Sequence, residues 1–223
     1  MKCKEVKTRL ICQGRHCKGL KDQRVGSWNV LSLYQPGALK MLLSQLDLYK
    51  LDITSIQEIR RTGEGIIDKK NHAIFYRCDG KHHMFGRTGF IVNKRIKHLV
   101  TDFKPKTPII CKIQVRGLFF NYSLICVHAP TEEKDDDEKD NFYEDLDQIY
   151  EECPERDVKM IIGDLNAKIR QEEMYRPITG KYSLHALSND SGIRLINFAC
   201  SKTWWRQVHC SILTTYINDM EIP

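Results

Sequence analysis

The segment MIIGDLNAKI, residues 160–169, ends an apolar run with an aspartate and, two positions later, an asparagine. Side chains alternate between the faces of a strand, so Asp164 and Asn166 point the same way if the extended conformation continues past Gly163. A carboxylate can take a proton from an attacking water, and a carboxamide can donate to a phosphate oxygen. The spacing therefore predicts a polar site at the end of a buried strand.

Three further apolar segments end in residue types that suit metal or phosphate chemistry. SWNV delivers Asn29, ITSIQE delivers Glu58 and SLICVHAP delivers His128. Strand ends are rigid positions, and layered α/β proteins often assemble their sites there. Turns also favour Asp and Asn for conformational reasons, so any one of these residues has an ordinary structural explanation. Together with Asp164 and Asn166, they predict a site for a hard divalent cation and a phosphate.

Each of these five residues has a chemistry that fits such a site. Glu58 offers an anionic oxygen to Mg²⁺, and Asp164 can accept a proton from, or orient, an attacking water. Asn29 and Asn166 can donate to phosphate oxygens or hold the carboxylates in place. His128 can protonate a leaving oxygen or stabilise charge on the phosphate, and a histidine that is simply satisfied at a strand end is the structural alternative.

Two segments have the periodicity of amphipathic helices, residues 37–50 and residues 138–153. Their apolar faces are formed by Leu39, Leu42, Leu43 and Leu46 in the first segment and by Phe142, Leu146 and Ile149 in the second. Faces of this kind predict helices that cover a sheet.

Seven segments rich in β-branched and aromatic residues are predicted as strands. They span residues 24–30, 52–57, 72–78, 88–94, 108–115, 118–128 and 158–165. Arg116-Gly117 between two of them predicts a tight hairpin, and helical crossovers precede 52–57 and 158–165. The combination predicts an α/β fold in which helices flank mixed sheets.

Length and composition predict one sizeable domain, since the chain has 223 residues of which 41% are apolar. No long apolar stretch and no leader pattern is present, which predicts a soluble intracellular chain without a membrane partner. The nine cysteines include no C-x-x-C pair, which favours reduced thiols and no disulfide-linked partner. Cys3, Cys12, His16 and Cys17 cluster, but their spacing matches no zinc module.

Charge is unevenly distributed along a chain whose formal net charge is +6. Residues 1–23 form a basic N-terminal arm, which either steers the chain to a polyanion or is a solvated tail. The acidic run at 132–140 is predicted as an exposed loop that leads into a helix. It lacks the glycine and the carboxylate spacing of a calcium loop.

The order of SWNVLSL, QEIRR, GFIVNK, VHAPTE, GDLNAKI and SNDSGIRLINFA resembles the endonuclease/exonuclease/phosphatase superfamily. It is most similar to the endonuclease domain of RTE-type non-LTR retrotransposons and to craniofacial development protein 2-like proteins, over residues 24–201. The resemblance implies a four-layered α/β sandwich of two mixed sheets flanked by helices. It also implies hydrolysis of DNA phosphodiesters with Mg²⁺, or alternatively Mn²⁺, and a nuclear location.

The resemblance also implies roles for the matching residues. Glu58 is similar to the family's metal ligand, and Asn29 to its neighbour at the phosphate. Asp164 matches the residue that activates water, and Asn166 its companion. His128 falls where relatives have a histidine or tyrosine that acts on the phosphate.

The resemblance weakens towards the C-terminal end. Asn189 in SNDSG is similar to a supporting loop residue, but segments of the type TW-x-S-P-D-G, N-Q-I-D-H and S-D-H, which complete the family's site, do not follow Lys202. Trp204-Trp205 is encoded by TGGTGG, and a neighbouring frame can read the Met-Val that relatives often carry there. We therefore hypothesise a frameshift near Lys202, a non-homologous tail at 202–223 and a domain that is incomplete at its C-terminal end.

Three functions fit these observations. The first is a Mg²⁺-dependent endonuclease of retrotransposon descent, weakened by the missing motifs. The second is a non-catalytic remnant that retains at most nonspecific nucleic-acid binding. The third keeps the hydrolytic site but acts on a phosphoinositide or sphingomyelin, which the close match to retroelement motifs disfavours.

Overall fold

Two β-sheets packed face to face form the centre of the structure, a computed structural model that describes residues 3–4, 23–33, 35–59, 63–78, 88–170, 187–202 and 210–213. Most of the predicted basic arm at 1–23, including Cys12, His16 and Cys17, lies outside the described residues. Of the predicted tail at 202–223, the structure describes Lys202 and the backbone of Cys210–Leu213.

The first sheet has six strands in the order β1-β2-β3-β6-β5-β4. Only β2 and β3 run parallel, and the other neighbouring strands are antiparallel. The strands are β1 Cys3–Lys4, β2 Val25–Asn29, β3 Ile53–Gln57, β4 Gly63–Asp68, β5 His72–Cys78 and β6 Thr88–Asn93.

The second sheet has five strands in the order β11-β10-β9-β8-β7. Strands β9, β10 and β11 are parallel, whereas β7, β8 and β9 form an antiparallel meander. The strands are β7 Val100–Thr107, β8 Ile110–Val115, β9 Tyr122–His128, β10 Val158–Asp164 and β11 Cys210–Leu213.

The helices that cover the outer faces of the sheets are α1 Ala38–Tyr49, α3 Asp136–Glu151 and α4 Asp190–Ser201. The short helix α2 Lys94–Lys97 instead contributes Ile96 to the layer between the sheets. Helix α3 begins inside the acidic run because Asp135 caps it, accepting a hydrogen bond from the backbone N–H of Glu138 at 2.7 Å. The three acidic residues of its first turn also complement the helix dipole.

Strand alternation divides the buried side chains into three layers. Between the sheets lie Val25, Ile53, Phe90, Val92, Ile113, Leu124 and Met160. Outside the first sheet, Leu42 and Leu46 of α1 pack on Trp28, Ile56 and Ile91. Outside the second sheet, Phe142 and Leu146 of α3 and Leu195 of α4 pack on Ile125, Val127 and Ile161. The predicted architecture of two mixed sheets flanked by helices is confirmed.

The predicted tight hairpin at Arg116-Gly117 is wrong. Strand β9 begins at Tyr122, and residues 116–121 form the connection. The backbone N–H of Gly117 donates to Asn121 Oδ1 at 3.4 Å, which closes a loop instead of a two-residue turn. Leu118, Phe119 and Phe120 resemble strand residues in sequence but are 54%, 67% and 47% exposed.

Six described elements were not among those predicted, namely the strands β1, β4, β7 and β11 and the helices α2 and α4. Strand β7 contains Pro105 and three charged residues and lies at an edge of its sheet, where alternation is weakly constrained. No helix in the described ranges is both long enough and apolar enough to cross a bilayer.

Close packing of β9 and β10 at the end of β10 generates a stability prediction. Gly163 has φ +148°, and a Cβ there would lie 2.0 Å from the carbonyl oxygen of Val127, whereas Gly65, with φ +142°, has no heavy atom within 4 Å of such a Cβ. Both alanine variants strain the backbone by about 1–3 kcal/mol. We expect Gly163→Ala to lower the free energy of unfolding in urea by clearly more than Gly65→Ala, because only the former also forces the strands apart. Equal losses would contradict this packing.

Candidate functional site

The candidate site lies where three strands end at the gap between the two sheets. Asn29, His128 and Asp164 are the last residues of β2, β9 and β10. Because side chains alternate between the two faces of a strand, each of these residues lies on the face of its strand that is turned toward the opposite sheet. The residues two and four positions earlier in each strand lie on the same face. These residues are Val25 and Ser27 in β2, Leu124 and Cys126 in β9, and Met160 and Ile162 in β10.

Glu58 reaches the same gap by breaking the alternation of β3. Gln57 faces the inter-sheet layer, so Glu58 in a regular strand would face the opposite way. Its φ of +57° is in the left-handed region, which is unusual for a residue other than glycine. Asn29 Nδ2 donates to Glu58 Oε1 at 2.9 Å, so the turned carboxylate is held at the mouth of the gap.

His128 joins this pair from the second sheet. Its Nε2 lies 3.9 Å from Glu58 Oε1, and the two side chains are 10% and 16% exposed. Both side chains are thus largely withdrawn from water at this point. The contact therefore connects the two sheets at the site.

Asp164 and Asn166 lie beside His128, but a turn brings them together. Asp164 is in register with His128, and its carbonyl accepts from Ala129 N at 2.8 Å. The expected extended conformation ends at Asp164, and Asn166 has φ +48°. Asn166 N donates to Asp164 Oδ1 at 3.3 Å and Asn166 Nδ2 donates to Ala129 O at 2.7 Å. Asp164 and Asn166 therefore lie together at the mouth of the gap, as predicted, but a hydrogen-bonded turn brings them together instead of strand alternation.

Asn189 is the N-cap of α4 and fastens the loop that follows β10. Its Oδ1 accepts from Gly192 N and from Lys168 N, each at 2.8 Å, and its Nδ2 donates to Asn166 O at 3.1 Å. The side chain therefore ties the start of a helix to the backbone on which Asn166 sits. Its hydrogen bonds thus stabilise the loop that carries Asn166.

A buried polar layer between the sheets lies directly below these residues. Ser27 Oγ donates to Gln57 Oε1 at 3.3 Å, and Gln57 Nε2 donates to Ser55 Oγ at 3.1 Å and to Cys126 Sγ at 3.4 Å. Burial raises the pKa of the neighbouring Cys111 thiol well above its usual range. Sequence reasoning missed this layer, although Ser27, Ser55 and Gln57 occupy inward positions where an ordinary strand would place apolar residues.

The donor set at the mouth of the gap fits a Mg²⁺ ion held by few protein ligands. Mg²⁺ is commonly bound by one or two carboxylates, with waters and substrate phosphates completing its octahedron. Glu58 supplies a partly exposed carboxylate oxygen, and Asp164 supplies a second carboxylate at the rim. Within the part of the chain that the structure describes, no three His, Cys, Asp or Glu side chains form a metal-binding group.

Comparison with known proteins identifies homologues for most of the chain. Craniofacial development protein 2 from Tragulus javanicus and from Bos taurus are each 35% identical to it over 184 residues, or 82% of this chain. The aligned region is 31% and 30% of the two relatives, so the chain spans about a third of the length of the curated relatives it matches. No protein-family profile matches the chain. The predicted resemblance to craniofacial development protein 2-like proteins is confirmed.

The fold is also found in a solved structure, the endonuclease domain of TRAS1, a telomere-specific non-LTR retrotransposon. The TM-score is 0.52 at 15% sequence identity, and the superposition covers 80% of this chain and 71% of that domain. At this identity the likeness establishes a shared fold, the architecture of endonuclease/exonuclease/phosphatase proteins.

The hydrogen bonds of Asn189 generate a second stability prediction. Asn189→Ala removes two acceptor contacts and one donor contact, so we expect the free energy of unfolding to fall by about 1–3 kcal/mol. Asn189→Asp keeps both acceptor contacts and is expected to lose less. The matched control is Asn197→Ala on the exposed side of α4. If urea unfolding gives the same loss for Asn189→Ala and Asn197→Ala, the proposed role of Asn189 in holding the loop is wrong.

Proposed function

We propose that this homologue of craniofacial development protein 2, which has the endonuclease/exonuclease/phosphatase fold, is a Mg²⁺-dependent DNA endonuclease domain of retrotransposon descent. The proposed domain spans residues 24–201. The homologous relatives are about three times longer than the matched region, so this proposal concerns the domain and its chemistry.

One observation carries the proposal. Asn29, Glu58, His128 and Asp164 come from four strand ends in two sheets, and they meet at one gap. Two of the residues involved, Glu58 and Asn166, adopt left-handed backbone conformations, which cost of order 1–3 kcal/mol each and cluster at functional sites. A purely structural arrangement of strand ends has no need for a partly exposed carboxylate held by such a conformation.

The side chains divide the work of phosphodiester hydrolysis among them. Asp164 accepts the proton of the attacking water while the water oxygen bonds to phosphorus and the bond to the leaving oxygen breaks. Asn166, fixed by Ala129 O, orients that carboxylate through its backbone N–H. His128 either supplies a proton to the leaving oxygen or donates a hydrogen bond to the charged phosphate. Asn29 keeps the Glu58 carboxylate in position.

Glu58 is the residue that we propose holds the divalent ion, Mg²⁺ or Mn²⁺. When bound there, the ion supplies positive charge that offsets the charge developing on the phosphate oxygens. The other coordination positions are left to waters and phosphate oxygens, as is usual for Mg²⁺.

DNA is the proposed substrate for two reasons. One solved structure that shares the fold is the endonuclease domain of a retrotransposon, and the sequence motifs match the retroelement branch most closely. The formal net charge of +6 also favours a polyanionic partner. A nuclear location follows if the substrate is chromosomal DNA.

Nicking of supercoiled plasmid in Mg²⁺ tests the proposed activity. We expect Glu58→Gln and Asp164→Asn each to lower the nicking rate by about 10²-fold or more, because each removes a carboxylate that acts on the reacting groups. Glu155→Gln, an exposed residue just before β10 and thus at its opposite end, is the matched control and should nick at the unmodified rate. Thermal unfolding of each variant establishes that the differences are chemical.

The alternative of a non-catalytic remnant makes the opposite prediction. A folded chain with no nicking above background in Mg²⁺ or Mn²⁺ contradicts the endonuclease proposal and favours nucleic-acid binding alone. Turnover of inositol phosphates in place of plasmid DNA would favour the third function.

A further inference from the structure

A groove of about 590 Å³ runs along the side of α1, away from the gap between the sheets. Its walls are α1 and the turn that joins β4 to β5. The charged or ring-bearing polar residues that line it are Lys40, Asp47, Lys69, Lys70 and His72, and Ser44 and Asn71 are the uncharged ones. The function proposed above uses none of them.

The three lysines of this groove have no carboxylate partner among the described residues. Asp47 is the only acidic residue in the lining, and its carboxylate accepts from Asn71 Nδ2 at 3.2 Å and lies 3.6 Å from His72 Nε2. Several lysines elsewhere are compensated: Lys97 pairs with Asp68, Lys104 and Lys106 with Glu152, and Lys134 with Glu138. The lining of the groove therefore carries three lysines, unpaired within the described ranges, against a single carboxylate.

A second observation comes from the floor of the groove. His72 is 2% exposed, and within the described part of the chain its Nε2 has no hydrogen-bond partner. A buried polar atom without a partner costs free energy, and such atoms are uncommon in native proteins. The groove thus contains a buried imidazole nitrogen whose neighbouring carboxylate, Asp47, lies 3.6 Å away, beyond hydrogen-bond distance.

Chain topology connects one end of the groove to the candidate site. Helix α1 crosses from the end of β2 to the start of β3, and these strands are parallel. The helix therefore starts near the C-terminal ends of β2 and β3, where Asn29 and Glu58 lie, and ends near the N-terminal ends of these strands. Lys40 is in its first turn, whereas Asp47, which contacts the turn bearing Lys69 and Lys70, lies about 10 Å further along the helix axis.

We propose that this groove binds successive phosphates of a nucleic-acid strand that extends from the candidate site along α1. The identity of the polymer rests on the proposed function, while the binding of phosphate rests on the groove itself. Consecutive phosphates of one strand are further apart in space than their axial spacing of about 3.4 Å, because the backbone winds around the duplex, so a groove of about 10 Å spans about two of them. A single small anion would satisfy only one end of it.

The salt dependence of DNA binding tests this groove. A triple variant, Lys40→Gln with Lys69→Gln and Lys70→Gln, is compared with a control that carries Lys104→Gln, Lys106→Gln and Lys134→Gln. Both lower the formal net charge from +6 to +3, because each neutralises three lysines. Affinity for a short fluorescein-labelled duplex is measured by anisotropy in EDTA, where Mg²⁺-dependent hydrolysis cannot occur.

We expect the groove variant to reduce the slope of log K against log salt by about 2, because each phosphate contact contributes about 0.9. The control should leave the slope near that of the unmodified chain. Equal changes of slope in the two triple variants would contradict the proposed phosphate-binding groove, since the change in net charge alone would then explain both.

Two further results separate this inference from the proposed function. If the groove variant alone changes the slope but no protein nicks plasmid, the endonuclease proposal fails and the groove stands. If the unmodified chain nicks plasmid and the slopes do not differ, the proposed phosphate binding by the groove is wrong and the endonuclease proposal is supported. The His72 ring signals in NMR spectra are also compared with inorganic pyrophosphate and with the duplex. If pyrophosphate shifts these signals and the duplex leaves them unchanged, the groove is a site for a small anion, and the proposed binding of a strand is wrong.

Discussion

The left-handed backbone at Glu58 is the constraint on which the candidate site depends. Strand β3 delivers Gln57 to the inter-sheet layer, and a regular strand would send the next side chain to the α1 side. The turn at Glu58 costs backbone free energy, and the hydrogen bond from Asn29 offsets part of that cost. Because Asn29 ends the neighbouring parallel strand, the pairing of β2 with β3 fixes both partners at once.

The polar layer below the site couples this geometry to the fold. Gln57 donates to Ser55 in its own sheet and to Cys126 in the other, so it links the two sheets one residue before Glu58. Two positions beyond Cys126, His128 approaches Glu58 from the second sheet. A shift of one sheet over the other would break the contact between Gln57 and Cys126 and would at the same time separate His128 from Glu58. The inter-sheet packing therefore controls the spacing of the site.

Sequence patterns predicted the layers and the identity of the strand ends, because alternation and helical periodicity record burial directly. Residues 37–50 and 138–153 read as helices since Leu42, Leu46 and Phe142 fall on one face. Local conformation that depends on tertiary contacts was not predictable. The turn at Asn166 is held by Ala129, which follows β9, and the α4 cap at Asn189 binds the loop after β10. The exposed Leu118–Phe120 segment resembles a strand in sequence. The lysine groove could not be predicted from the sequence either, because only the fold brings α1 next to the turn between β4 and β5.

The central claim is that Glu58, held by Asn29, binds a divalent ion at the gap between the sheets. Paramagnetic broadening by Mn²⁺ in NMR spectra tests it most directly. Substoichiometric Mn²⁺ should broaden the Asn29 side-chain amide and the His128 ring signals before others, and Glu58→Gln should abolish this effect while Glu155→Gln preserves it. Broadening confined to the acidic first turn of α3, or identical broadening of Asn29 in Glu58→Gln, would contradict the claim.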